Sequence, residues 1–384
     1  MHLLRRERVA VLLVCLFSMG CEQPPPHGDD AVRPTCLDPD ITPTETANIP
    51  ITYTTDKLEI HVEDGQFMCA GTAEDLDRFT KYVTTRLGMK SDRQVPLYLV
   101  ESVSEQCPSG VGCTKPDGIA LVRTPDALHH EIVHSVACEA RIASPSIFAE
   151  GLAVSFEPFP SSSQGLPSEF AELRWDAPDF SYSEAGHFVR WLFEALGPEA
   201  FMQLYATANY SSGVWTAIED AYGLTVEDDY LATAPTTWVA HRQCDDVPLL
   251  ERDPNGVWTF DLHFDCDDPN TRGPSVRSEN FLDWNDMYQS YLIDIPTPGM
   301  YRLDRPDFMV DGFTNVWVER CRFDEHPVEP DQDAENGPAG VFFTLTGHYS
   351  IREFPHAGLW RIDILREHGP PVDTWLTIQP EPQP

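Results

Sequence analysis

Hydrophobic periodicity changes once along this chain, near Asp246, and that change limits the fold more than any single motif does. Before it, apolar residues recur at helical spacing, as in Leu76, Phe79, Val83 and Leu87. After it, seven short strand-like segments follow: Trp258–Phe264, Tyr288–Ile295, Met300–Leu303, Val316–Cys321, Val341–Ser350, Leu359–Leu365 and Thr374–Ile378. Gly, Pro, Asp and Asn punctuate the gaps between them, and no helical period survives. At 384 residues with 41% apolar content, the chain is long enough for two cores. The expected organisation is an α+β domain over 49–246 and an all-β sandwich over 247–384.

Within the first domain, Ile51–Val62, Val95–Val100 and Gly118–Val122 read as strands. Thr72, with Asp75 three residues on, is the expected capping box of the first helix. Pro125 and Asp126 open a second helix, Pro145 a third, and Ser183–Leu196 forms a fourth, stopped by Gly197-Pro198. Further helical segments are expected at Pro198–Ala206, Val214–Tyr222 and Val226–Leu231.

The first twenty residues have the pattern of an export signal: Arg5, Arg6 and Arg8, then an apolar run from Val9 to Phe17, too short to span a membrane. The run ends in Ser18-Met19-Gly20-Cys21, which resembles a bacterial lipoprotein signal, although Ser18 stands where an aliphatic residue is usual. That resemblance implies acylation of Cys21 and, with Glu22 following it, an outer-membrane lipoprotein of the cell envelope; periplasmic or secreted protein is the alternative. Residues 21–48, rich in Pro, Asp and Thr, read as a tether. Loss of the signal removes three Arg and one Glu and takes the formal charge from −36 to −38. A field that negative repels nucleic acid and anionic lipid, so contact with membrane is expected through the anchor only.

Ten cysteines include Cys15 in the signal and Cys21 at its end. The other eight, in an exported chain, point to disulfides. Cys107 and Cys113 close a short loop, and Cys266–Cys321 is expected inside the second domain. Cys36, Cys69, Cys138 and Cys244 then allow three pairings.

His130-Glu131-Ile132-Val133-His134 carries the chemistry. Residues four apart lie on one face of a helix, so His130 and His134 can bind one tetrahedral Zn²⁺ through ring nitrogens. Glu131 projects beside the metal as general base. His129 is turned about 100° away and is a neighbour rather than a ligand. A catalytic zinc needs a third protein ligand. Glu139 falls on the opposite side of the helix. Glu150 follows fifteen intervening residues after His134, enough for a turn and a returning helix, and Glu157 two turns further on is the fallback.

HExxH followed by Ala149-Glu150-Gly151-Leu152-Ala153, then Tyr182-Ser183-Glu184-Ala185-Gly186-His187-Phe188-Val189, resembles the gluzincin metallopeptidases, particularly the bacterial peptidase-MA-like group. The likeness covers about residues 117–232 and departs from the family at His187, where Ser is usual, and at Leu196, where Tyr is usual. It implies a zincin-like fold, His130, His134 and Glu150 as zinc ligands, Glu131 as base, and a protein or peptide substrate. Tyr182 or His187 is then the candidate donor to the oxyanion of the tetrahedral intermediate. A surface binding lipoprotein without turnover, acting through its β-sandwich, is the alternative; Trp284, Trp317, Trp360 and Trp375 would supply its binding face unless they are core. Asp331–Gly337 resembles a calcium loop, but its Gly comes one position late and it reads as a solvated acidic loop.

Overall fold

In the computed structural model, described residues lie within 34–382, without 47, 108–109, 143, 158–180, 208–217, 220–222, 224, 236–237, 239–243, 276–285, 306–314, 322–339 and 345–347. The export segment, Cys21, the start of the tether, Trp284 and the acidic loop at 331–337 lie outside the described residues, as does most of the helical segment expected over Val214–Tyr222. Pro34–Pro384 forms one compact unit, built from an α+β part and a β part.

The α+β part rests on a five-stranded sheet in the order β1-β2-β3-β5-β4. Its strands are β1 (Ile51–Thr54), β2 (Leu58–Val62), β3 (Val95–Leu99), β4 (Gly112–Thr114) and β5 (Ala120–Val122). The central three run parallel, Leu58 opposite Val95 and Leu97 opposite Ala120, and their apolar side chains are buried. Strands β1 and β4 are the antiparallel edges. Helix α1 (Ala70–Arg86) makes the crossover from β2 to β3, burying the face that carries Leu76, Phe79 and Val83.

Among the described residues, helices α2 (Ala127–Ala137), α3 (Ser146–Phe156), α4 (Tyr182–Leu196), α5 (Pro198–Thr207) and α6 (Val226–Thr233) follow in this part. Helices α3 and α4 cross closely because each offers a glycine to the other. A Cβ on Gly151 would sit 2.5 Å from Val189 Cγ2, and one on Gly186 would sit 2.4 Å from Val154 Cγ1. Real Cβ atoms do not approach that near, so both positions require glycine.

The β part holds two antiparallel four-stranded sheets. One has the order β10-β9-β12-β7: β10 (Gly340–Thr344), β9 (Asn315–Arg320), β12 (Gly358–Glu367) and β7 (Asp286–Ile295). The other has the order β11-β8-β13-β6: β11 (Tyr349–Phe354), β8 (Gly299–Asp304), β13 (Val372–Pro380) and β6 (Trp258–Phe264). Phe260, Leu303 and Leu376 from one sheet share a core with Ile293, Val318 and Ile362 from the other. The single strand expected over Val341–Ser350 is two, β10 and β11, belonging to different sheets. Trp360 is core, whereas Trp375 is 40% exposed.

Three expectations are corrected where the chain is stapled. Cys266 pairs with Cys69, and Cys321 with Cys244, so the expected Cys266–Cys321 bridge does not form; Cys36–Cys138 and Cys107–Cys113 complete the set. Thr72 and Asp75 are not a capping box. Helix α1 starts at Ala70, and its first N–H groups donate to carbonyls of the β part: Ala70 to Cys266, Gly71 to Thr271. The side chains expected to cap instead reach across, Thr72 to Gly273 and Asp75 to Arg272. Finally, the later half of the expected tether belongs to the fold. Cys36 is bridged to Cys138, the Thr44 N–H donates to Asp117, and Thr46 Oγ1 bonds the Tyr98 hydroxyl at 3.1 Å.

Candidate metal centre

Helix α2 carries His130 and His134 on one face, one turn apart, and their Nε2 atoms lie 3.1 Å from each other. Helix α3 returns past them and brings Glu150. Its Oε2 stands 3.0 Å from His130 Nε2 and 3.3 Å from His134 Nε2. Two ring nitrogens and a carboxylate oxygen converge this closely only around positive charge, a proton or a metal ion. A tetrahedral ion with bonds of about 2.0–2.1 Å holds its ligand atoms about 3.3 Å apart, close to this triangle. Among the described residues this is the one cluster of three or more His, Cys, Asp and Glu side chains placed to hold a metal ion. It is partly open to solvent, with side-chain exposures of 14%, 15% and 25% for His130, His134 and Glu150.

Glu157, the fallback ligand, has a different place. Its Oε1 lies 2.8 Å from His130 Nδ1, on the side of the ring away from the cluster. A carboxylate there accepts from Nδ1–H and leaves the Nε2 lone pair directed at the shared point. Burial opposes charging His130, but hydrogen bonds to Glu150 and Glu157 outweigh it and raise the ring to about 10 when no metal competes. Burial likewise acts against the Glu150 carboxylate, and the bonds from His130 and His134 reverse this, holding it well below the usual carboxylate range.

Glu131 is buried at 5% exposure, and burial pushes its carboxyl up, with His134, His130 and the Thr114 hydrogen bond pulling the other way. Thr114, on edge strand β4, holds Oε2 at 2.9 Å and also lies 3.0 Å from the Glu131 main-chain oxygen. His129 is turned from the cluster and packs edge-on against Phe79 at 4.6 Å between ring centroids.

The two candidate donors separate. Tyr182, at the first position of α4, is exposed, and its ring centroid lies 6.2 Å from that of His130. Partial burial, then the nearby Glu150 and Glu131 carboxylates, raise its hydroxyl. His187 is fully buried, with Nδ1 2.7 Å from the Tyr230 hydroxyl and Nε2 2.8 Å from the Pro235 carbonyl. Both ring nitrogens are committed inside the helical core, so His187 has no donor left for a substrate. Its direction is set by α6, which supplies Tyr230 from 43 residues away. Thr114, the partner of Glu131, is the site residue absent from the sequence reading, whereas Glu157 was expected as a fallback ligand and stands instead as the partner of His130 Nδ1. Glu157 had a signal, since two helical turns after Glu150 puts it on the same side of α3. Thr114 had none, because only the sheet brings it to α2.

No protein-family model matches the chain, and no curated protein matches it. Among solved structures, TmCBM61 in complex with beta-1,4-galactotriose aligns at 13% identity over 32% of this chain and 66% of that chain, with a TM-score of 0.14. No helix among the described residues is long and apolar enough to cross a membrane. The four disulfides fit a chain folded in an oxidising compartment.

Proposed function

We propose that the protein is a zinc-dependent peptidase of zincin-like fold that hydrolyses peptide bonds in a protein or peptide substrate. The observation that carries this reading is the triangle of His130 Nε2, His134 Nε2 and Glu150 Oε2, with pairwise separations of 3.0–3.3 Å, beside a buried carboxylate on the same helix. Two imidazoles and one carboxylate, partly open to solvent, are a donor set that would suit catalytic zinc. The bound ion would supply Lewis-acid polarisation and a water acidified to about pKa 7.

The chain's own residues have distinct tasks in this reading. Glu157 keeps the His130 ring oriented with Nε2 toward the metal. Glu131, raised by burial and standing one residue after a ligand, takes the proton of the attacking water and passes it to the leaving amine. Tyr182 donates to the negative charge that develops on the substrate carbonyl. The N-terminal pattern and Cys21 support a lipoprotein of the cell envelope, and the net negative charge disfavours nucleic acid as a partner.

Metal analysis of the purified protein, together with Glu131→Gln, tests this. One zinc per chain in both forms, with cleavage of labelled casein lost on chelation and reduced about 100-fold or more in Glu131→Gln, is the expected result. A protein without stoichiometric metal, or one whose cleavage ignores chelator and substitution, is not this enzyme.

A further inference from the structure

Glu131 lies against the edge of the sheet, and the strand it lies against is built to receive it. In β4, Gly112-Cys113-Thr114, the two outer residues both face the Glu131 side chain. A Cβ at Gly112 would stand 3.0 Å from Glu131 Cγ and 3.0 Å from Oε1, tighter than nearly all real contacts, so only glycine lets the carboxylate pack there without displacement. Thr114 Oγ1 lies 2.9 Å from Oε2, and among the described residues no other group hydrogen-bonds this carboxylate. The strand is itself held on both sides. It pairs with β5 from Gly112 opposite Val122 to Thr114 opposite Ala120, and its central residue is bridged to Cys107.

We propose that Thr114 is the positioning residue for Glu131. Its hydroxyl grips Oε2 while Gly112 leaves room for Oε1, so the two outer residues of β4 together fix the orientation of the carboxylate. Without the grip, a carboxylate at the end of a three-torsion side chain has other rotamers open to it, and a displacement near 1 Å is enough to cost about 100-fold in rate. The role of Glu131 as a base rests on the peptidase reading above; the contact between Thr114 and Glu131 does not.

Crystal structures and kinetics of the zinc-loaded full chain test this with Thr114→Val, which keeps the shape and removes the hydroxyl, and Thr114→Ser, which restores it. In Thr114→Val the Glu131 carboxylate is expected to leave its place. The kcat for labelled casein should fall about 10–100-fold with KM within about threefold and zinc content unchanged. Thr114→Ser should recover most of the loss. Gly112→Ala is expected to displace the same carboxylate from the other side, which guards against an unfolded Thr114→Val. A Glu131 carboxylate that stays in place in Thr114→Val, or a kcat unaltered by it, overturns the proposal. If the wild-type protein holds zinc but cleaves nothing, the peptidase reading falls, and the crystallographic position of Glu131 still decides the positioning role.

Discussion

Thr72 and Gly273 exchange two hydrogen bonds across 201 residues: Thr72 Oγ1 donates to the Gly273 carbonyl at 2.9 Å and accepts from its N–H at 2.7 Å. With the Cys69–Cys266 bridge beside it, this contact seats the start of helix α1 on the β part. The β part supplies carbonyls to the first N–H groups of a helix in the α+β part. It is a structural partner of the site-bearing part within one compact unit.

Gly71 shows how tight that seat is. A Cβ there would lie 2.5 Å from the Pro269 carbonyl oxygen and 2.6 Å from that of Thr271, both main-chain atoms with little freedom to move. Gly71→Ala is expected to cost about 1–3 kcal/mol and to lower Tm for both parts together. Thermal unfolding followed by far-UV and near-UV circular dichroism checks it; an unchanged Tm would show that the junction yields.

Glu157→Gln removes the carboxylate that holds His130 by Nδ1 without touching a metal ligand. Metal affinity should fall about 10–100-fold, as is usual when such a partner is lost. Competition with a fluorescent chelator measures this, and Glu150→Ala should lose far more. Equal losses in the two variants would make Glu157 a ligand after all.

His187 makes the fold sensitive to acid. Burial lowers its pKa below 6.5, against a raising contribution from the Pro235 carbonyl. The unfolded chain therefore binds a proton on this ring that the folded chain refuses. Stability is fully present above pH 6.5 and is lost as pH falls from 6.5 through the folded pKa. Urea unfolding across that window should show a midpoint declining with acidification, and a smaller pH slope in His187→Asn. A slope identical in the two proteins would contradict this.

The Cys36–Cys138 bridge ties the segment before the first sheet to the residue that directly follows α2, one helical turn past His134, and spans 102 positions. Its loss in Cys36→Ser with Cys138→Ser is expected to cost about 3–5 kcal/mol. Guanidinium unfolding should report this, and the metal should be released at lower denaturant than in the wild type.

What was legible in the sequence follows from local geometry. Helical period puts His130 and His134 on one face whatever surrounds them, and the alternation of Trp258–Phe264 separates a buried from an exposed face before any partner strand is known. The switch of period near Asp246 likewise marks where the α+β part ends and the strands begin. The even number of cysteines beyond the signal announced disulfides, and the short loop between Cys107 and Cys113 gave one pair correctly, but the expected Cys266–Cys321 bridge was wrong.

Everything that depends on which distant segments meet was decided by tertiary packing. Cys69 finds Cys266 over 197 positions, Thr114 reaches Glu131 only because β4 lies along α2, and Tyr230 turns His187 inward. Even the residues with the pattern of a capping box are spent on contacts with Gly273 and Arg272, because the carbonyls of another segment already serve the helix N–H groups. Residue spacing determines what a single helix or strand can present; only the assembled fold determines what each side chain faces.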